Sequence, residues 1–382
     1  MSNIPRARAW VEVDLDALRA NFQAVRATAR PRLGLLPMVK ADAYGLGAER
    51  VAHALEPLEP WGFGVATVEE GAQLRAAGVR RPIVVIAPLP PGCEARAVAA
   101  RLGVAVSDLN ALDRLDRAAA EAGASAAFHL EVDTGMGRAG FAHADARGAD
   151  GWIEQARRRV SARLEWQGLF THFHSADEAE GAQPSREQWQ RFEQVRAAVR
   201  EAGVQPLVHG ANSAAALRWP DYALDVVRPG IFLYGGAVPD APPPEPVASV
   251  RARIALVREV PAGTSVGYGA TWAAERPARL ATVSIGYGDG VPRALGNRGA
   301  MLVRGTRCPI VGRVSMDMTV VDVSEVPEAR AGDVATVIGA DGAARVTLDQ
   351  VAAEADTISY EILTRLTPRL PRVTMERSAG EA

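Results

Sequence analysis

Lysine is almost missing from this chain. Among 43 basic residues there is one lysine, Lys40, and every other is an arginine. A guanidinium stays protonated in a protein, whereas a lysine amine can lose its proton and then acts as a nucleophile and a base. A general bias toward arginine accounts for the arginines but leaves the exception as a candidate for amine chemistry. Cysteine is scarce too. Cys93 and Cys308 stand far apart with no partner motif, which reads as two reduced thiols rather than a disulfide. No run of about 18 apolar residues occurs, so no segment reads as a membrane-spanning helix. The opening MSNIPRARAW has no apolar stretch of the kind a secretory signal needs, so a cytoplasmic location is expected. There is no basic block, and a formal net charge of −2 gives no reason to expect nucleic acid or an anionic membrane as partner.

What is present points to two domains. At 382 residues the chain suits two domains, or one large barrel with an appendage. Its first part alternates short apolar runs with amphipathic stretches. The runs are 33–40, 61–67, 82–88, 103–108, 126–133, 165–173, 205–210 and 225–235. They are nearly continuous rather than alternating, as strands covered on both faces are. Gly78, Gly103, Gly123 and Gly203 read as helix stops between them. Eight strands in βα alternation predict an α/β fold, a (β/α)8 barrel over 1–236. Residues 237–247, AVPDAPPPEPV, hold five prolines and read as a stiff linker. Beyond them, alternating strands and glycine turns predict a C-terminal all-β domain over 248–382, with a last helical segment at 347–366. The early strand 8–15 fits either the barrel or the β-domain.

Active sites of such barrels lie at the C-terminal ends of the strands, and phosphate often binds after strands 7 and 8. Lys40 ends the first run. Arg138 follows the fifth, His172 ends the sixth, Asn212 and Ser213 follow the seventh, and Arg228 and Gly230 belong to the eighth. The Asn-Ser turn opens a helix whose N–H groups suit a phosphate. An amine beside a phosphate-binding rim suggests pyridoxal 5′-phosphate, whose aldehyde condenses with lysine. Taken singly, each residue has a duller role open to it. Lys40 and Arg228 could be ion-pair partners, Asn212 and Ser213 a helix cap, and His172 with His174 a metal pair on one strand face. Their convergence favours function.

The chain resembles the alanine racemases, fold-type III pyridoxal-phosphate enzymes, over nearly its full length. The motifs are VKADAYGLG, DTGMGRAG, THF, ANSAA, VRPGIFLYG, SVGYGATW, SIGYGDG, GRVSMDM and TISYE, in the family's order. The resemblance implies that Lys40 bonds the cofactor and is one of two acid–base groups, with Tyr268 the second. The tyrosine would come from the other subunit of a head-to-tail homodimer. Tyr44, Ser213, Gly230, Ile231 and Tyr360 would hold the phosphate, with Asn212 nearby. Arg228 would meet the pyridine nitrogen, and His172 would link it to Tyr268. Arg138 would contact the cofactor oxygen and the substrate carboxylate, and Met316 would offer that carboxylate its backbone N–H. Tyr287 would line the way in, with Asp317 in support. No metal is implied.

Three positions depart from the family pattern. Glu131 stands where many relatives carry a carbamylated lysine; as a carboxylate it is expected to orient Arg138. Ser315 and Leu46 replace a frequent cysteine and histidine. The implied activity is interconversion of L- and D-alanine by a two-base mechanism, supplying D-alanine for peptidoglycan. Racemisation needs a proton removed from one face of Cα and one delivered to the other, which an amine and a phenol on opposite faces can do. A serine or broad-range racemase, a fold-type III decarboxylase, a non-catalytic cofactor carrier and a metallohydrolase using His172 and His174 are the competing readings.

Overall fold

The computed structural model describes residues 6–28 and 33–375. The opening MSNIP, residues 29–32 and the tail 376–382, the end of the expected β-domain, lie outside the described residues.

The barrel is built from near-continuous apolar runs, as expected of strands buried on both faces. Phe63–Val65, Ile83–Pro88, Gly103–Val106, Ala126–Asp133, Leu164–Phe170 and Leu207–His209 lie in that order in one sheet, all paired in parallel. Val226–Val227 and Gly34–Leu35 pair with each other, also in parallel. Parallel bridges at Met38–Gly64 and Asn212–Arg228 join the two sets, so the eight strands close into a ring. Amphipathic helices surround it, started by side-chain caps. Asp108 accepts from the Ala111 N–H at 2.9 Å, and Thr67 and Glu70 form a reciprocal capping box.

Gly78, Gly123 and Gly203 follow helices with φ of 91°, 60° and 81°, the left-handed geometry a helix stop needs. Gly103 differs from expectation. It opens a strand, and Arg101, at φ 52°, takes the left-handed position after the helix Glu94–Ala99.

The β-domain is organised on the long strand Ala248–Val260. One sheet runs in the order Thr306–Pro309, Ala300–Val303, Val334–Asp341, Ala248–Val260, Ala9–Asp14, Arg372–Met375. The early strand therefore belongs here. Val11 pairs antiparallel with Val250 and parallel with Arg372. The C-terminal helical segment is two helices, Leu348–Glu354 and Ser359–Thr364, broken at Asp356 with φ 56°. The proline-rich stretch lies against the first helix, Leu15–Thr28, where the Asn21 side chain donates to the Glu245 carbonyl at 2.8 Å and accepts from its N–H at 2.7 Å. No described helix is long and apolar enough to cross a membrane.

The first helix turns Leu18, Phe22 and Val25 inward, each fully buried. Replacing Phe22 with Ala should lower stability by about 3–5 kcal/mol, the range for a truncated core phenylalanine. The check is the urea midpoint of the variant against the parent.

Candidate active site

Lys40 lies two residues past the Met38 bridge that follows the first barrel strand, Gly34–Leu35, and there the chain does something costly. Ala41, Asp42, Ala43 and Tyr44 form a left-handed turn, with φ of 51°, 55°, 52° and 57°. Each such non-glycine residue costs roughly 1–2 kcal/mol, so surrounding contacts must over-determine the turn. Glu70 accepts from the Ala41 N–H at 2.7 Å, and Asp42 accepts from the Ala48 N–H at 2.7 Å. Arg372, on the last strand of the β-domain, donates to the Gly45 carbonyl at 2.9 Å. The turn buries the Tyr44 ring against Tyr234, with centroids 4.7 Å apart. The Lys40 side chain reaches accessible space at the barrel mouth. Its amine nevertheless has a lowered pKa, first through burial and then through the Arg138 and Arg228 charges, with Glu70 opposing.

Arg228 lies 3% exposed in the barrel interior. Its Nη1 donates to His209 Nδ1 at 2.7 Å and to the His209 carbonyl at 2.9 Å. Its Nη2 donates to the Thr171 carbonyl at 2.8 Å and to His172 Nδ1 at 3.2 Å. The remaining donor, Nε–H, has no acceptor among the described residues. Burial pushes the Arg228 pKa down to about 10, so the group stays charged at neutral pH. His172 is pushed down to about 3, by burial first and then by Arg228, Arg138 and Lys40.

Beside Arg228 is a small polar cradle. Asn212 caps the helix Ser213–Arg218 by accepting from the Ala215 N–H at 2.9 Å. Ser213 Oγ accepts from the Gly230 N–H at 2.8 Å. Ile231 begins a 3-10 turn, Ile231–Tyr234, and its N–H has no acceptor among the described residues. Gly230 must be glycine for space, since a Cβ there would lie 2.4 Å from the Tyr44 hydroxyl. The Tyr360 ring stands 6.0 Å from that of Tyr44. Free N–H groups, hydroxyls and a glycine opening are what a phosphate requires, and a charged Nε–H pointing at no protein acceptor suits a ring nitrogen. The residues therefore fit pyridoxal 5′-phosphate.

Glu131 is buried, and its pKa is raised chiefly by that burial. It accepts from Ser107 Oγ at 2.8 Å. It feels the Arg138 charge, but among the described residues no ion pair within 4.0 Å joins the two. His174 bonds Ser175 at 2.6 Å, and no group of three His, Cys, Asp or Glu side chains suited to a metal occurs among the described residues.

Of the expected site residues in the β-domain, Tyr360 reaches this mouth through its ring contact with Tyr44, whereas no hydrogen bond, ion pair or ring contact among the described residues joins Tyr268, Tyr287, Met316 or Asp317 to it. Tyr268 follows a short strand, Ser265–Val266, and is 68% exposed; Tyr287 and Met316 are 41% and 52% exposed. Asp317 is held by Arg369 at 2.6 Å. The Met316 N–H has no acceptor among the described residues. Leu46 is buried in the core. Ser315 offers its carbonyl to the Tyr287 N–H at 3.0 Å.

Sequence reasoning passed over His209 and His129, which it read only as members of apolar strands. Both are buried in the barrel, 2.9 Å apart, and His209 supports Arg228 directly. The available signal was a histidine within a largely apolar run, AAFHLEVD and QPLVHG.

An eight-stranded barrel with a lysine at its mouth, a phosphate cradle and a buried arginine defines a barrel-type cofactor enzyme. The model for the alanine racemase N-terminal domain matches residues 13–238, and that for the C-terminal domain matches residues 247–374. An alanine racemase of Desulfosudis oleivorans is 40% identical over 387 aligned residues, covering 97% of this chain and 98% of that protein. The crystal structure of alanine racemase from Streptomyces lavendulae superposes with a TM-score of 0.91 at 38% identity, covering 97% of this chain and 98% of that one. The enzyme from Bartonella henselae, solved with covalently bound pyridoxal phosphate, gives 0.86 at 29% identity, covering 97% of this chain and 100% of that one. The chain belongs to the alanine racemase family.

The buried histidines set an acid limit on the fold. His172 is pushed to about 3 and His129 to about 4, and His209 lies well below its usual value. The unfolded chain therefore binds more protons between these values and about 6.5. Stability is fully present above that window and falls as pH drops through it, by up to about 1.4 kcal/mol per pH unit for each histidine. Glu131, raised by burial, works in the opposite sense. The urea midpoint should rise from pH 4 to 6.5, and more steeply in Glu131→Gln.

Proposed function

We propose that this chain interconverts L-alanine and D-alanine with pyridoxal 5′-phosphate, as a cytoplasmic homodimer supplying D-alanine for peptidoglycan. Residues 1–236 would form the cofactor domain, 237–247 the linker and 248–382 the β-domain. What carries the reading is Lys40. The chain's single lysine stands at the mouth of the barrel, its amine depressed by burial and two guanidinium groups, next to a phosphate cradle.

When bound, the cofactor supplies an aldehyde for an amine and an electron-withdrawing ring that acidifies the substrate Cα–H. The chain supplies the rest. Ser213, Ile231, Gly230, Tyr44 and Tyr360 hold the phosphate, with Asn212 fixing the turn that carries Ser213. Arg228 offers Nε–H to the ring nitrogen. Arginine is a permanent donor with no acceptor, so a ring nitrogen held there would stay unprotonated and would draw less charge away from Cα, which would favour reprotonation there. Arg138 and the Met316 N–H orient the substrate carboxylate. The lowered pKa of Lys40 leaves more neutral amine at working pH, ready to take or return a proton at Cα on one face. Tyr268 of a second copy does the same on the other face, and Tyr287 narrows the approach. The exposure of Tyr268 in a single chain supports that division of labour.

Borohydride reduction of the holoenzyme followed by peptide mapping should place a pyridoxyl label on Lys40; a label on any other residue ends the reading. Tyr268→Phe should cut racemisation by about 10²–10⁴-fold, the usual worth of a positioned acid–base group. Lys40→Ala and Tyr268→Phe subunits, each inactive alone, should regain activity when mixed and reassociated, because each mixed dimer contains one intact site. No recovery in proven mixed dimers would show that both groups act within one chain.

A further inference from the structure

The barrel interior contains a buried polar column that the site as described does not use. It starts at Arg228 and descends toward the N-terminal ends of the strands. Arg228 Nη1 meets His209 Nδ1 at 2.7 Å, His209 Nε2 meets His129 Nδ1 at 2.9 Å, and His129 Nε2 meets Gln167 Oε1 at 3.1 Å. His129 is 0% exposed and His209 is 1% exposed. Gln167 is half-buried and lines a cavity at the base of the barrel with Trp61, Trp166 and Asp225.

Barrel interiors of this kind are ordinarily filled by branched aliphatic side chains. Here the fold makes room for a ring instead. A Cβ on Gly168 would lie 1.9 Å from His129 Nδ1, and one on Gly103 would lie 3.4 Å from His129 Nε2. Phe170 stacks on His209 with centroids 5.0 Å apart at 8°, the Arg228 guanidinium lies 5.3 Å from the same Phe170 ring, and Trp61 meets His129 edge-on at 6.1 Å. The column is wrapped in aromatic surface, where an unmet polar atom is expensive.

Its polarity follows from one fact. A guanidinium has donors and no acceptor. His209 Nδ1 must therefore accept, which places the His209 proton on Nε2. His129 Nδ1 must then accept, which places the His129 proton on Nε2, and the carbonyl end of Gln167 receives it. On the other side of Arg228, His172 Nδ1 accepts at 3.2 Å, so the His172 proton is also on Nε2. Both column histidines are neutral at pH 7, with His129 held near 4 and His209 well below its ordinary value by burial and by Arg228.

We propose that Gln167, His129 and His209 are positioning residues, a column of fixed tautomers that holds the Arg228 plane and leaves Nε–H as its one unused donor, toward the ring nitrogen of the cofactor. The functional half of this proposal rests on the racemase reading; the tautomer half does not. Removing the Gln167 acceptor leaves a buried His129 N–H unmet, and the cheapest relief is a tautomer change that meets Arg228 donor against donor.

The test begins with the parent holoenzyme at pH 7. The chain has six histidines, so nitrogen NMR of histidine-labelled protein can be assigned by single substitutions. His129, His209 and His172 should each report a neutral ring protonated on Nε2. A ring protonated on Nδ1, or charged, at either column position overturns the proposal without any variant. In Gln167→Leu the His129 and His209 signals should move, and kcat should fall about 10-fold or more, as for loss of an outer support of a site group, with KM little changed. Gln167→Glu keeps an acceptor and should restore both. Unmoved signals or an unchanged kcat in Gln167→Leu would overturn the positioning role. Moved signals in an enzyme that never racemises alanine would instead reject the functional reading and leave the column standing.

Discussion

A group that can only donate hydrogen bonds stands in the middle of this barrel, and its neighbours are arranged to receive from it. Arg228 satisfies four of its five donors on carbonyls and imidazole nitrogens inside the fold. Burying a charge this deeply is tolerable only when nearly every bond is met. That requirement fixes His209 and His172, places the Thr171 carbonyl, and leaves one direction open. Lys40 feels the same charge from across the mouth, which, after burial and the Arg138 charge, helps lower the pKa of its amine. The site's electrostatics therefore rest on permanent positive charge that cannot be titrated away at neutral pH.

The second constraint is mechanical. The left-handed turn after Lys40 is an unfavourable shape for Ala41, Asp42, Ala43 and Tyr44. It persists because Glu70 and Arg372, far apart in sequence, bond its backbone from either side. One of those residues belongs to a barrel helix and the other to the β-domain. The placement of Tyr44, and with it the opening above Gly230, thus depends on both parts of the chain being in position.

Much of this was legible in the sequence. The eight barrel strands follow the apolar runs because burial on both faces writes a continuous pattern. Lys40, Ser213, Gly230 and Arg228 were singled out by their place near strand ends, where barrel geometry gathers side chains. Other features were hidden for identifiable reasons. The partner of the strand Ala9–Asp14 is set by pairing with residues more than two hundred positions away, which local patterning does not encode. Gly103 was read as a stop because composition alone does not separate a strand glycine from a helix-ending one. His129 and His209 fell inside apolar runs and were passed over; the space for the His129 ring depends on Gly168 on the neighbouring strand, a relation between strands. Glu131 was expected to orient Arg138, yet the structure places its bond on Ser107.

The strand Ala9–Asp14 carries an implication for how the molecule is made. Both of its neighbours, Ala248–Val260 and Arg372–Met375, lie later in the chain and are synthesised after it. Until then its apolar face and backbone bonds have no native partner, while the barrel beside it can already close. The nascent chain must therefore carry an open sheet edge until both of those strands have emerged, and Arg372–Met375 is the one that seals it.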